Sequence, residues 1–272
     1  MHRPNRPAAV LFDVDGVLVA SPHERAWQEA LAELMATEWR ASPAPDWNPS
    51  RFTTAVYQQY VAGRDRLGGA RAVLEHFHVP DAARRARAYA DRKQRRVEAL
   101  LDAGDFEPFP DGVRLVLALK ARGVPLGVAS SSKNANRFMD GIPVDPFARA
   151  GGEPPPPLVR GETLREVFDA NVCGRDVAHG KPAPDLFLLV ADALGMPPGS
   201  CVVVEDAPSG VQAAKAGGMA AIGVARLHDE ALLEAAHADL VVTSLDQVAV
   251  EPLARGRLAR VDAAPPAAAV RP

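Results

Sequence analysis

The sequence predicts an α/β protein built on a doubly wound parallel sheet and interrupted by a helical insert. Three observations carry this reading. Short apolar runs at 9–13, 124–130, 201–206, 220–225 and 238–244 alternate with amphipathic stretches, which is the rhythm of βαβ units. The block 53–101 carries apolar residues at helical spacing and no strand signal. Polar residues cluster where apolar runs end, and open α/β sheets bind their ligands at the carboxyl ends of strands.

Composition sets outer bounds. The chain has 272 residues, 47% hydrophobic and 24% charged, which is ordinary globular material for one large domain or two modest ones. A formal charge of −3 gives no reason to expect nucleic acid. No signal peptide and no apolar run of membrane-spanning length is evident, so the expected location is cytoplasmic, with no membrane partner. Cys173 and Cys201 lie beside apolar strand-like residues and are expected to be buried, reduced thiols without a catalytic role.

The first strand, about 9–13, stops on Asp13, with Asp15 two residues later and Gly16 free to turn the backbone tightly. Residues i and i+2 leave a strand on the same side, so two carboxylates stand together and call for a cation or proton between them. Next comes a helix over 23–35, with Trp27, Ala30, Leu31 and Leu34 on one face, and a Pro-rich loop over 42–50. Helical spacing then repeats in Val56, Tyr57, Tyr60 and Val61, in Ala70, Val73, Leu74 and Phe77, and in Val97, Leu100 and Leu101.

The α/β rhythm resumes near 109. Phe109-Pro110-Asp111-Gly112 turns into a helix over 113–122 that Gly123 closes, and the buried strand 124–130 follows. Then come a strand over 168–172, a helix over 184–194, the strand 201–206, a helix ended by Gly217-Gly218, and two last strands. Residues 149–160, with four successive prolines, read as an extended surface loop. The expected organisation is a discontinuous core of 1–20 and 108–250, a helical insert of 21–107, and a disordered tail of 251–272.

Four strand tips carry the candidate chemistry. The first gives Asp13 and Asp15, the second runs into Ser130-Ser131-Ser132-Lys133-Asn134, Gly180-Lys181-Pro182 precedes a helix, and the 201–206 strand ends in Glu205-Asp206. Acids from two tips suit a hard cation such as Mg²⁺. A lysine and a serine from the others suit a phosphoryl group, and a carboxylate facing that group is a nucleophile.

The ordered motifs DxDGV, SSSxN, GKPxPDxF and VEDxxxGxxAAxxAG resemble the haloacid dehalogenase (HAD) superfamily of aspartate-nucleophile phosphotransferases, over essentially 9–249. The resemblance implies a Rossmann-like core with an inserted α-helical cap domain. It implies that Asp13 attacks phosphorus and that Asp15 is the general acid/base. Ser130 would hold a phosphoryl oxygen, Lys181 would balance charge, and Asp13, Asp15, Asp206 and Glu205 would form the Mg²⁺ site. Such chemistry needs mainly positioning and charge neutralisation.

Within that superfamily, three cap features resemble the β-phosphoglucomutases. His23-Glu24-Arg25-Ala26-Trp27 is similar to their HxRAW segment, Arg92-Lys93 to an RK pair, and Gly63-Arg64-Asp65-Arg66-Leu67 to a phosphate-binding loop, with Arg66 favoured over Arg64. Ser132, Lys133 and Asn134 match residues that hold the non-transferring phosphate, and Ser131 beside them is expected among the substrate-binding residues. This implies substrate contacts from His23, Trp27, Arg66 and Lys93, although Lys93 also lies in a basic run (84–96) that reads equally as a solvated helix face. The segment joining Asp15 to His23 is about two residues shorter than the pattern, which shortens the cap hinge.

The implied function is conversion of β-glucose 1-phosphate to glucose 6-phosphate through an aspartyl phosphate and glucose 1,6-bisphosphate. The alternatives are a phosphatase acting on a small phosphorylated metabolite and a non-catalytic phosphosugar-binding regulator. The expected partner is a small sugar phosphate, and the expected state is a monomer or weak oligomer.

Overall fold

The computed structural model describes residues 8–150 and 162–261. In chain order the elements begin with β1 (Ala9–Phe12), β2 (Val19–Ala20), α1 (His23–Ala36), α2 (Thr54–Tyr60), α3 (Arg66–His76), α4 (Ala82–Asp102) and β3 (Glu107–Pro108). There follow α5 (Pro110–Lys120), β4 (Leu126–Val128), α6 (Ala135–Asp140), α7 (Asp145–Ala150), β5 (Ala170–Asn171) and α8 (Asp185–Ala193). The chain continues through β6 (Cys201–Glu205), α9 (Pro208–Ala216), β7 (Ala220–Val224), α10 (Glu230–Ala235), β8 (Leu240–Val242) and α11 (Val250–Ala254).

Six strands form one parallel sheet in the order β5-β4-β1-β6-β7-β8. The expected doubly wound architecture is therefore present. β1 sits between β4 and β6, so the chain reverses its direction of travel across the sheet there, and a crevice opens at the carboxyl ends of these strands. Side chains alternate between two apolar layers. Val10 and Phe12 join Val202 and Val204 on one face, and Ala9 and Leu11 join Cys201 and Val203 on the other.

A third apolar cluster belongs to α1–α4 alone, centred on Trp27, Leu31, Leu34, Phe77 and Tyr89. The helical insert thus buries its own core and is joined to the sheet by two linkers, which pair as the short antiparallel β2–β3 ribbon. The basic run on α4 is mostly a salt-bridged outer face: Arg84 pairs with Asp81, Arg87 with Asp91, Arg92 with Glu33 and Glu38, and Arg96 with Glu29.

Some local expectations change. The helix expected from 113 starts at Pro110, because proline suits a first helical turn, where its missing N–H costs nothing. The strand expected over 168–172 shortens to the two-residue edge strand β5. The tail expected to be disordered from 251 contains most of α11, and Arg260 pairs with Val248. Leu253 is fully buried there, so this segment has an apolar anchor that its composition obscures. The proline loop at 149–160 and residues 262–272 lie outside the described residues, apart from the backbone end of α7.

Both thiols are free, and burial pushes them up: Cys201 to about 11, and Cys173 further still. No helix among the described residues is long and apolar enough to cross a membrane.

Candidate active site

β1 ends by delivering Asp13 into the crevice, where its N–H donates to the Val204 carbonyl at 3.0 Å. Gly16, at φ +80, then turns the chain back. A Cβ on Gly16 would run into the Asp206 carboxylate. Only glycine therefore accommodates both the left-handed backbone and the carboxylate arriving from β6.

Lys181 Nζ donates to Asp13 Oδ1 and to Glu205 Oε1, each at 2.6 Å. All three residues are buried. Glu205 Oε2 accepts the N–H groups of Asp206 and Ala207 at 3.0 and 3.1 Å. Both oxygens of Glu205 are therefore engaged, and it acts as the structural partner of Lys181 and of the turn into α9. Sequence neighbourhood places Glu205 among the metal ligands; in the structure it stands in the acidic cluster with both oxygens already accepting hydrogen bonds.

Oxygens of Asp13, Glu205 and Asp206 come within 4.8 Å of one another. Burial and the neighbouring acids hold Asp13 up at about 7 against the pull of Lys181, and push Asp206 well above the usual carboxylate range. One ammonium does not neutralise this cluster. In addition, Asp15 Oδ1 is buried without a hydrogen-bond partner. Surplus negative charge on oxygen ligands, two carboxylates of which (Asp13 and Asp206) are not committed as Glu205 is, fits Mg²⁺. That ion uses one or two carboxylates and fills its remaining positions with water or phosphate.

Asp15 faces the helical side. Its Oδ2 accepts from Ser130 Oγ at 3.3 Å, and its Oδ1 lies 3.4 Å from His23 Nε2. His23 Nε2 is also 3.1 Å from Ser132 Oγ. Burial, with Lys93 nearby, lowers His23 to about 4, so its ring is neutral at pH 7. The shortened linker thus still brings His23 to Asp15. Ser131 Oγ donates to the Gly63 carbonyl at 3.1 Å, and Ser209 Oγ to that of Ala62 at 2.7 Å. These two bonds tie the 61–66 loop of the insert down onto the core.

Between the two units lies a cavity of about 250 Å³ lined by Asp13, Asp15, Ser130 and Asp206 on the core side. Arg64, Arg66 and Lys93 line it from the helical side, and none of the three is in an ion pair among the described residues. Lys93 Nζ sits 5.0 Å over the Trp27 ring, and Trp27 itself packs edge-on against Tyr89 in the helical core. Burial pulls the Lys93 ammonium down to about 7, with Asp15 pulling it back up and Arg66 adding to the depression.

The remaining expected residues divide. Ser132 accepts the Asn134 N–H at 3.2 Å, and the Asn134 side chain bonds Gln94 of α4, also at 3.2 Å. Lys133 lines the cavity, yet its ammonium is bound to the Gly174 carbonyl and to Asp176, both at 2.5 Å.

Sequence reasoning missed several cavity residues, among them Tyr57, Gln58 and Arg226, and it ranked Arg64 behind Arg66 although both line the cavity. Arg226 stands two residues past the end of β7, so extending the strand-tip rule to one more strand finds it. Its guanidinium donates to the Gly16 and Val17 carbonyls and to Asp111, and covers the Phe109 ring at 4.1 Å. It therefore grips both linkers of the insert.

Residues 7–218 match the family model described as haloacid dehalogenase-like hydrolase. The chain is 33% identical over 260 residues to a β-phosphoglucomutase of Mycobacterium bovis, covering 90% of this chain and 92% of that one. It is 32% identical over 227 residues to the fructose-1-phosphate phosphatase YqaB of Escherichia coli, covering 80% and 97%. Among solved structures, an archaeal β-phosphoglucomutase from Pyrococcus superposes with a TM-score of 0.63 at 28% identity, covering 90% and 96%. With an aspartate pair, a buried lysine and an acidic strand tip converging where this fold binds ligands, the chain belongs to the haloacid dehalogenase-like hydrolase family, whose enzymes are phosphotransferases and phosphatases.

Proposed function

We propose that the protein is a Mg²⁺-dependent phosphosugar mutase that converts β-glucose 1-phosphate to glucose 6-phosphate by way of glucose 1,6-bisphosphate. The observation that carries this reading is one cavity lined by Asp13 and Asp15 from the core and by Arg64, Arg66 and Lys93 from the helical side, the last three free of ion pairs among the described residues. A bisphosphate needs an anion site at each end, and arginine with lysine is the natural pairing for the distal one. The similarity to β-phosphoglucomutases supports the same choice.

In this reading a carboxylate oxygen of Asp13 attacks phosphorus in line and the phosphorus–sugar oxygen bond breaks. Lys181 holds Asp13 Oδ1 and balances its charge. Asp15 gives its proton to the departing sugar oxygen, and later removes one from the hydroxyl that attacks the aspartyl phosphate. His23 and Ser130 hold Asp15 in place, and Ser130 also meets a phosphoryl oxygen. Asp13, Asp206 and the Asp15 backbone would hold Mg²⁺, which supplies charge neutralisation for the transferring phosphoryl group. The mobile cap corresponds to 21–107 and the core to 1–20 with 108–250. The setting is cytoplasmic and the protein a monomer or weak oligomer, consistent with large exposed apolar residues that are few and scattered, such as Leu67, Leu188 and Leu232.

A phosphatase acting on a small sugar phosphate is the second reading. It is favoured by Lys133, whose ammonium is spent on Asp176, and by the similarity to a fructose-1-phosphate phosphatase. Arg66→Ala separates the two. A mutase loses bisphosphate-dependent turnover far more than hydrolysis of a small aryl phosphate, whereas equal losses in both assays contradict the mutase.

A further inference from the structure

We propose that Gln58 reads a hydroxyl of the sugar and so sets substrate specificity from the cap side; this rests on the sugar-phosphate reading above. Gln58 lies on α2 and lines the cavity, yet it is only 4% exposed, and its Oε1 has no hydrogen-bond partner. A buried amide oxygen left unpaired bears its full desolvation cost, and the folded chain bears this cost beside its substrate cavity.

The neighbouring groups are matched to charge. Arg64, Arg66 and Lys93 suit anionic oxygens, while the carboxylates with Lys181 suit a metal and a phosphoryl group. A neutral carboxamide offers a donor and an acceptor whichever way its ends are assigned. That makes it a poor phosphate ligand and a good match for a hydroxyl, which is itself both donor and acceptor. Tyr57, the preceding residue, also lines the cavity, and its phenol is buried near Asp15, Asp206 and Glu24. The cap side of the cavity therefore carries two polar, uncharged side chains besides its charged ones, suited to the uncharged hydroxyls of a phosphorylated sugar.

A site built to bond a hydroxyl rejects the analogue that lacks it, because the protein group is then left unpaired. Calorimetric titration in Mg²⁺ tests this with inorganic phosphate, β-glucose 1-phosphate and its monodeoxy analogues. The wild type should bind the parent at least ~10-fold more tightly than one of the analogues, within the range for a lost buried hydrogen bond. In Gln58→Leu that ratio should fall close to one while phosphate affinity stays unchanged. Replacing the orphaned amide by an apolar group of similar size should not lower the thermal midpoint, and Gln58→Met serves if the leucine variant does not fold.

An unchanged ratio in the variant, or a wild type that binds every analogue as well as the parent, overturns the assignment. Equal weakening of phosphate and sugar phosphate also overturns it, because that marks a distorted site. Phosphate binding without any sugar-phosphate binding by the wild type defeats the sugar-phosphate reading itself, and the role of Gln58 falls with it.

Discussion

Glu205 holds Lys181 at 2.6 Å while its other oxygen accepts two backbone N–H groups. It fixes the ammonium that Asp13 depends on, and it has no free oxygen for a cation. Glu205→Gln should therefore lower turnover ~10–100-fold, the usual cost of losing a supporting partner, with little change in the Mg²⁺ concentration needed for half-maximal rate. Asp206→Asn should raise that concentration steeply. Magnesium titrations of the two variants check this, and a similar rise in both would return Glu205 to the metal site.

Lys93 is charged at a cost to folding. Its pKa is lowered from 10.5 to about 7, mainly by burial. Between these values the unfolded chain binds more protons, so stability from this group rises with pH, and the penalty is complete below 7. Lys93→Met should raise the thermal midpoint at pH 6 by roughly 5 °C, with the gain shrinking toward pH 9. Sugar-phosphate affinity should fall by more than tenfold in the same variant, which calorimetry reads directly. A lower midpoint at pH 6 would contradict this.

Arg226 donates to both oxygens of Asp111 at 2.7 and 3.0 Å, and Asp111 also accepts from Ser244 Oγ and the Leu245 N–H. Burial raises the Asp111 carboxyl, but these partners outweigh it and hold the group below its ordinary value. Arg226→Met strands a buried carboxylate at a cost of about 3–5 kcal/mol. Because Arg226 also binds the Gly16 and Val17 carbonyls, turnover of a sugar phosphate should fall further than that of a small aryl phosphate, which makes less use of the cap. A thermal melt and paired kinetics measure both effects. Equal kinetic losses would leave Arg226 a purely structural brace.

The sheet and its acidic tips were legible because each strand is a short apolar run that stops on a polar residue, and in a parallel sheet all these ends share one edge. Lys93 was legible in place but ambiguous in role. Its helical register settles the matter, since Tyr89, Ala90 and Val97 at i−4, i−3 and i+4 are buried and turn Lys93 inward while its arginine neighbours pair outside. That both oxygens of Glu205 already accept hydrogen bonds was not legible, because adjacency to Asp206 does not reveal which oxygens are bonded. Gln58 carried no signal, because an unpartnered atom exists only once the cap has packed. The anchor of α11 rests on Leu253, with Val250, Ala254 and Leu258 partly buried against the same core, too short a set to register as a pattern.

The central claim is that phosphate leaves Asp13 for a sugar hydroxyl rather than for water. The direct measurement incubates the protein with Mg²⁺, β-glucose 1-phosphate and a trace of glucose 1,6-bisphosphate, and follows glucose 6-phosphate and free phosphate together. Glucose 6-phosphate in large excess over phosphate is the predicted result, and Asp13→Asn should abolish it. Phosphate released without glucose 6-phosphate would contradict the mutase and make the protein a phosphatase on the same frame.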